Sequence, residues 1–241
     1  MEANHGQALR VGMRIVAVVF AFILCQGLGS TAFADNKSEA QAVVDRANAT
    51  FTELMGDSNF SWLHGYIKDA KGVLIFPQVL KAGFFLGGSG GTGVLLVRGH
   101  QTGTWSDPAF YTIGSVTFGL QIGGEAAQVV MLAMSQKAVD TLFSSTVKLG
   151  GDASIAVGPL GGGAKGSVTV PTVTADFVSF AKSKGLYAGL NLEGSVLAVR
   201  DSLNSSYYGK AVAPRDIIMK RVVGNPDAAA LKAALGKASA K

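Results

Sequence analysis

His64 and His100, the separated carboxylates Glu125, Asp152, Asp176 and Glu193, and a lone cysteine, Cys25, are the side chains best suited to catalysis or metal binding. Their spacing supports neither. The two histidines have no partner one helical turn away and no cysteine beside them, so they lack the ligand spacing of a zinc site. The carboxylates show no pairing of the kind that divides acid from base. A Ser-His-Asp triad assembles only in the fold, so a hydrolase stays as a third reading. The string Gly88-Ser89-Gly90-Gly91-Thr92-Gly93 fits G-x-G-x-x-G. A dinucleotide site needs a helix after that string, to point its N-terminus at the pyrophosphate. Here the β-branched and apolar run Val94-Leu95-Leu96-Val97 follows instead, so the run reads as a glycine-rich hairpin. The expectation is a protein that is not an enzyme, with no cofactor and no metal.

What remains is a set of cations beside apolar or aromatic residues. Lys68 and Lys71 flank the end of a short helix, and Lys81 precedes Phe84 and Phe85. Lys182 and Lys184 stand near Tyr187. A long cationic stem next to an apolar body suits a lipid interface. Lys68, Lys71, Lys81, Lys182 and Lys184 are therefore the candidate lipid-binding residues, provided they share one face. Dispersed basic residues argue against nucleic acid, which calls for clustered Lys/Arg with aromatic platforms.

The elements that must position these residues change period along the chain. Residues 38–55 carry apolar side chains at helical spacing, with Ser38 and Gln41 as a capping pair. That face is expected to pack on a sheet rather than enter a membrane. A second helix is predicted over 60–69. From Gly72 the pattern becomes short apolar strands parted by glycine: 72–76 closed by Pro77, 82–86, 94–97, and further strands to residue 199. Trp105-Ser106-Asp107-Pro108 reads as a turn. Ser135 caps a helix over 136–143. Helices return at 214–223 and after Asn225-Pro226, with 236–241 expected to fray. The fold class is α+β and strand-dominated: one glycine-rich antiparallel sheet, barrel-like, with N- and C-terminal helices.

Composition agrees with a large buried core. The chain has 241 residues, 48% hydrophobic and 15% charged, with 32 glycines. Average domains carry roughly 25% charged residues and about 7% glycine. Arg10 and Arg14, the apolar run from Ile15 to Leu24 and the ending Ala32-Phe33-Ala34 have the order of a secretory signal peptide. The run is shorter than the ~20 residues of a membrane span. Residues 1–34 are expected to be removed before Asp35, which takes Cys25 with them, unless Cys25 is acylated as in a lipoprotein. The remaining excess of basic residues is mild and suits anionic head groups without selecting them.

Several strings together resemble one family: Ala70-Lys71-Gly72-Val73-Leu74-Ile75-Phe76, Trp105-Ser106-Asp107-Pro108, Gly119-Leu120-Gln121-Ile122-Gly123-Gly124, Leu149-Gly150-Gly151, Ser183-Lys184-Gly185-Leu186-Tyr187-Ala188-Gly189, Leu192-Glu193-Gly194 and Tyr207-Tyr208-Gly209. In this order they resemble the SYLF, or "Ysc"-type, domain over roughly residues 40–225. The resemblance implies binding to phosphoinositide or other anionic lipid, with actin association in eukaryotic members. Those members use a basic N-terminal helix, whereas 38–55 here holds Arg46 against Glu39, Asp45 and Glu53. The resulting expectation is an exported, bacterial-type SYLF-like domain over 35–225. A C-terminal helix and tail follow over 226–241. It would sit in the periplasm or cell envelope and contact anionic membrane lipid. A scaffold protein that binds an envelope protein or glycan is the alternative.

Overall fold

The runs Val73-Leu74-Ile75-Phe76, Val94-Leu95-Leu96-Val97 and Val129-Val130-Met131-Leu132 are apolar at every position, which suits strands covered on both faces. The computed structural model describes residues 32–83, 86–118, 123–159, 174–183 and 192–240. The central strands are β1 (Gly72–Gly83), β2 (Leu86–Val97), β3 (Ala109–Phe118) and β4 (Gly123–Ala133). The shorter ones are β5 (Thr146–Lys148), β6 (Ile155–Val157), β7 (Phe177–Ser183) and β8 (Val196–Val199). They form one curled sheet in the order β5-β8-β3-β2-β1-β4-β7-β6. All pairs are antiparallel except β6 with β7. The α+β class is as expected from the sequence.

Alternate side chains feed two cores. Val73, Ile75, Val94, Leu96, Val130, Leu132, Val178 and Phe180 point to one face. Helices α1 (Ala32–Gly56), α2 (Ser61–Asp69), α4 (Asp201–Tyr208) and α5 (Ala229–Ser239) contribute to that face's core, through residues such as Phe51, Leu63, Leu203 and Leu231. Leu74, Phe76, Leu95, Met131 and Phe177 point to the other face. There α3 (Gln136–Thr141) and Ile217 and Ile218, from a π-helical turn at Asp216–Lys220, supply the cover. The apolar stripe of α1 (Ala40, Val43, Val44, Ala47, Phe51 and Leu54) is spent in this packing, as expected of a helix lying on a sheet.

Several local expectations need correction. The first strand does not stop at Pro77. A bulge between Ile75 and Gln78 absorbs the proline, and the strand continues to Gly83. Proline has no N–H to donate, so a bulge is one of the few places a strand accepts it. The glycine run is not a hairpin loop either; it forms much of β2. A side chain at Gly93 would fall on the Ile75 carbonyl and lie 2.6 Å from Phe76 Cδ1, and one at Gly91 would fall on the Gln78 carbonyl. The bulge therefore demands glycine opposite it. The same run also reads G-x-S-x-G around Ser89, yet no strand-to-helix elbow is formed. Ser89 Oγ lies 2.8 Å from Ser115 Oγ on β3.

The predicted cap at Ser38 is superseded, because α1 already starts at Ala32. Gln41 bonds Asp45 instead. The end of the chain does not fray from Gly236. Helix α5 runs to Ser239, whose hydroxyl accepts the Trp105 indole N–H at 3.1 Å. The predicted caps at Ser135 and Asn225 are present. Of the further strands expected up to residue 199, any over 160–173 or 184–191 lie outside the described residues. By its contacts the chain divides between Asp35 and Asn36. The segment 1–34 expected to be a signal peptide lies, apart from its last three residues, outside the described region, and no described helix is long and apolar enough to cross a membrane.

Candidate functional site

The four candidate lysines among the described residues do not share a face. Lys71 precedes β1 and Lys81 lies near its far end, ten residues on, roughly 30 Å away at about 3.3 Å per residue. Lys81 sits opposite Ser89 and Glu125 in the neighbouring strands. Lys182, on β7, is engaged with α1 and the turn after it. Its ammonium lies 2.9 Å from Glu53 Oε1 and 3.0 Å from Asp57 Oδ2. These bonds raise the Lys182 pKa. Glu53 is lowered by its hydrogen bonds from Gln128 and Lys182. Asp57 is lowered first by the Asn59 N–H and then by Lys182. Lys182 is thus a structural cation that ties an edge of the sheet to α1. Lys184 lies outside the described residues.

Lys68 and Lys71 do come together, at the end of the sheet where β1 begins and β2 ends. Helix α2 delivers Lys68 in its last turn, and the chain reaches Lys71 after Asp69 and Ala70. Directly after β2 come Arg98 and the tight loop 99–104, closed by Gly99 N–H to Thr104 O at 2.9 Å and Gly103 N–H to Gly99 O at 2.8 Å. Arg98 donates to the Lys68 carbonyl (3.0 Å) and the Gly103 carbonyl (3.3 Å). Arg221 reaches the same loop from the π-helical turn and donates to Thr104 Oγ1 (3.1 Å) and Thr104 O (3.2 Å).

Both guanidinium groups are therefore oriented by neutral oxygens, and their charge is not cancelled by a carboxylate among the described residues. Two adjoining hollows, of about 410 and 220 Å³, flank the loop and share Arg98, Gly99, His100 and Gln136. Asp69 is the single carboxylate among their lining residues.

The turn that carries Arg221 is unusual in two ways. Arg221 has φ 50° and ψ 41°, the one non-glycine residue with positive φ among those described. Such a conformation is costly for a side chain with a Cβ and persists only where its surroundings enforce it. The bond from its N–H to the Asp216 carbonyl and the two guanidinium bonds do so. On either side Met219 and Val222 are 51% and 52% exposed. Met219 lines one hollow with Arg98 and Arg221, Val222 follows Arg221 in the chain, and Lys68 and Lys71 line the adjoining hollow. Reading the sequence missed Arg98, Arg221 and Met219. The signal was present in Met219-Lys220-Arg221-Val222, where a basic pair sits between apolar residues in a predicted helix.

Trp105-Ser106-Asp107-Pro108 is a clasp rather than a free turn. Ser106 Oγ accepts the Val97 N–H, and Asp107 accepts from Lys232 at 3.1 Å and from the Asn225 N–H at 3.2 Å. Tyr208 donates to the Pro108 carbonyl at 2.6 Å. Every residue of the string holds the C-terminal helices to the sheet, or orders the corner that does. C-terminal to this clasp, the model for Ysc84, described as a Las17-binding protein actin regulator, matches residues 114–238, more than half of the chain.

The chain belongs to the Ysc84 family. It is 37% identical to Protein YSC84 of Saccharomyces cerevisiae over 165 residues, covering 67% of this chain and 35% of that protein. An SH3 domain-containing protein of Schizosaccharomyces pombe is 41% identical over 159 residues, covering 65% of this chain and 36% of that protein. SH3 domain-containing YSC84-like protein 1 of Homo sapiens is 35% identical over 185 residues, covering 76% and 53% respectively. The chain thus spans about a third to a half of the length of the curated relatives it matches. The Ysc84 match runs through residue 238 and so covers all but the last residue of the C-terminal helix.

Proposed function

We propose that this Ysc84-family domain binds anionic lipid head groups, without catalysis, through the rim around loop 99–104. Lys68, Lys71, Arg98 and Arg221 supply the charge, and Met219 and Val222 supply the apolar contact. The observation that carries the reading is the pair of half-exposed apolar side chains flanking an arginine whose charge has no carboxylate partner among the described residues. Four cations against Asp69 leave a net of about three, and each basic residue near an anionic surface contributes about 1 kcal/mol. This set replaces the five-lysine face: Lys68 and Lys71 stay, and Lys81 and Lys182 leave. The N-terminal pattern from Arg10 to Ala34 supports placing that membrane contact on the exported side, at the periplasm or envelope.

Co-sedimentation with vesicles tests the reading. Binding is expected to phosphatidylserine-containing vesicles and not to pure phosphatidylcholine, and to weaken as salt shortens the screening length. Equal binding to both, or to neither, refutes it.

A protein partner is the second reading, and one observation favours it. Leu80 and Val116 are 54% and 67% exposed on the glycine-rich half of the sheet. The register Ala82–Gly88–Val116 puts them on one face. One relative is named LAS seventeen-binding protein 3, so that protein's name includes a protein partner. If vesicles of both kinds fail to bind, this face is the surface to probe.

A further inference from the structure

Helices α1, α2 and α5 leave an open groove of about 560 Å³ beside the core they share. Its floor is apolar: Phe51, Met55, Ala234 and Ala238. The first is fully buried, and the other three pack against the same core. Its rim carries Lys68 and Lys237, and no carboxylate lines it. Among the described residues neither lysine has an ion-pair partner. His64 is turned away from ligand duty, with Nε2 2.8 Å from the Met55 carbonyl.

We infer that this groove holds one long-chain fatty carboxylate, with the chain on the Phe51–Met55–Ala238 floor and the head group between Lys68 and Lys237. Three observations converge. The volume falls in the roughly 300–1,000 Å³ range of small-molecule sites, which are mostly apolar with a few placed polar groups. The charge at the rim is of one sign, so a neutral alkane or a cationic amphiphile lacks the match that an anion has. The apolar floor and the two exposed lysines line the same cleft, which suits a ligand with one charged end. Surface contact with a bilayer needs none of this depth, so the groove is a second and separate binding element, although Lys68 also borders the basic rim.

Equilibrium dialysis of the full chain against radiolabelled palmitate, below its micelle concentration and without vesicles, tests the inference. Saturable binding at one palmitate per chain is expected. Ala238→Phe fills the groove and is expected to lower affinity at least tenfold. Ala234→Phe, one turn earlier on α5, serves the same purpose should the first variant not fold, as judged by circular dichroism. Lys237→Gln is expected to weaken palmitate several-fold and to leave binding of hexadecanol, which has no charge, unchanged.

Vesicle co-sedimentation separates this inference from the surface reading. Ala238→Phe should still bind anionic vesicles as the parent does. Saturable palmitate binding by a parent chain that does not bind anionic vesicles would overturn the surface reading alone. No saturable palmitate binding by the parent, or undiminished binding by both folded phenylalanine variants, overturns the groove.

Discussion

Replacing Lys68 and Lys71 together by glutamine tests where the membrane contact lies. Both side chains are exposed, and among the described residues neither makes an ion pair, so their loss leaves the fold intact. Surface changes of this kind usually shift stability by within about 0.5 kcal/mol. Two charges at about 1 kcal/mol each make ~2 kcal/mol of head-group attraction. At 1.4 kcal/mol per decade, that is roughly a 30-fold fall in the vesicle partition coefficient. The assay is co-sedimentation with phosphatidylserine-containing vesicles at ~0.1 M salt, where the screening length is about 10 Å, repeated near 1 M, where it is about 3 Å. At the higher salt, variant and parent should converge, because only the apolar contribution of Met219 and Val222 remains. The control is Lys81→Gln, which removes the same type of charge at the other end of β1. It should bind as the parent does. A loss from Lys81→Gln equal to that of the double variant would mean that the contact is diffuse charge rather than a placed rim. An unchanged double variant would refute the site altogether.

Three further outcomes follow from the packing. Gly93→Ala should cost ~3 kcal/mol, because its Cβ meets the Ile75 carbonyl at the bulge and the fully buried Phe76 ring, neither of which can readily give way; an unfolding midpoint close to that of the parent would contradict the bulge geometry. Tyr111→Phe removes the 2.7 Å bond from the buried hydroxyl to the Leu142 carbonyl. A cost of about 1 kcal/mol, or roughly 2–4 °C in Tm, is expected. The Lys182–Glu53–Asp57 cluster should contribute stability on a plateau of pH. The two carboxyls are lowered from 4.5 and 3.8, so their contribution is whole above those values and is lost as pH falls through the folded-state pKa values. Lys182 is raised from 10.5, so its contribution is whole below that value and is lost as pH rises through the folded-state pKa. Lys182→Gln should lower Tm on the plateau and remove the alkaline fall, as read by thermal melts across pH; a melt profile identical to that of the parent would refute the coupling.

Much of the architecture was legible from local pattern. The continuous apolar runs announced strands buried on both faces, and the helical stripe of α1 announced a helix laid on a sheet. Ser135 and Asn225 capped the elements expected of them, because a cap is decided by a side chain and an N–H two or three residues on. The family likeness was also readable, since it rests on short strings in a fixed order. The glycine run misled for a physical reason. Glycine marks both loops and places where backbone crowds a strand, and only the pairing of β1 with β2 shows that Gly91 and Gly93 face the Pro77 bulge.

The site was decided by tertiary structure. Lys68 and Lys182 look alike in sequence, each a lysine near apolar residues, yet one has no ion pair among the described residues and the other is held by two carboxylates brought from α1 and the turn after it. Arg98 and Arg221 are 123 positions apart in the chain and meet at one loop only because the last turn folds back over the end of the sheet. Local sequence determines which backbone conformations and which buried faces a segment prefers, because those depend on neighbours within a few residues. Which charges end up side by side, and which are cancelled, depends on contacts between segments far apart, and the closed fold alone supplies them.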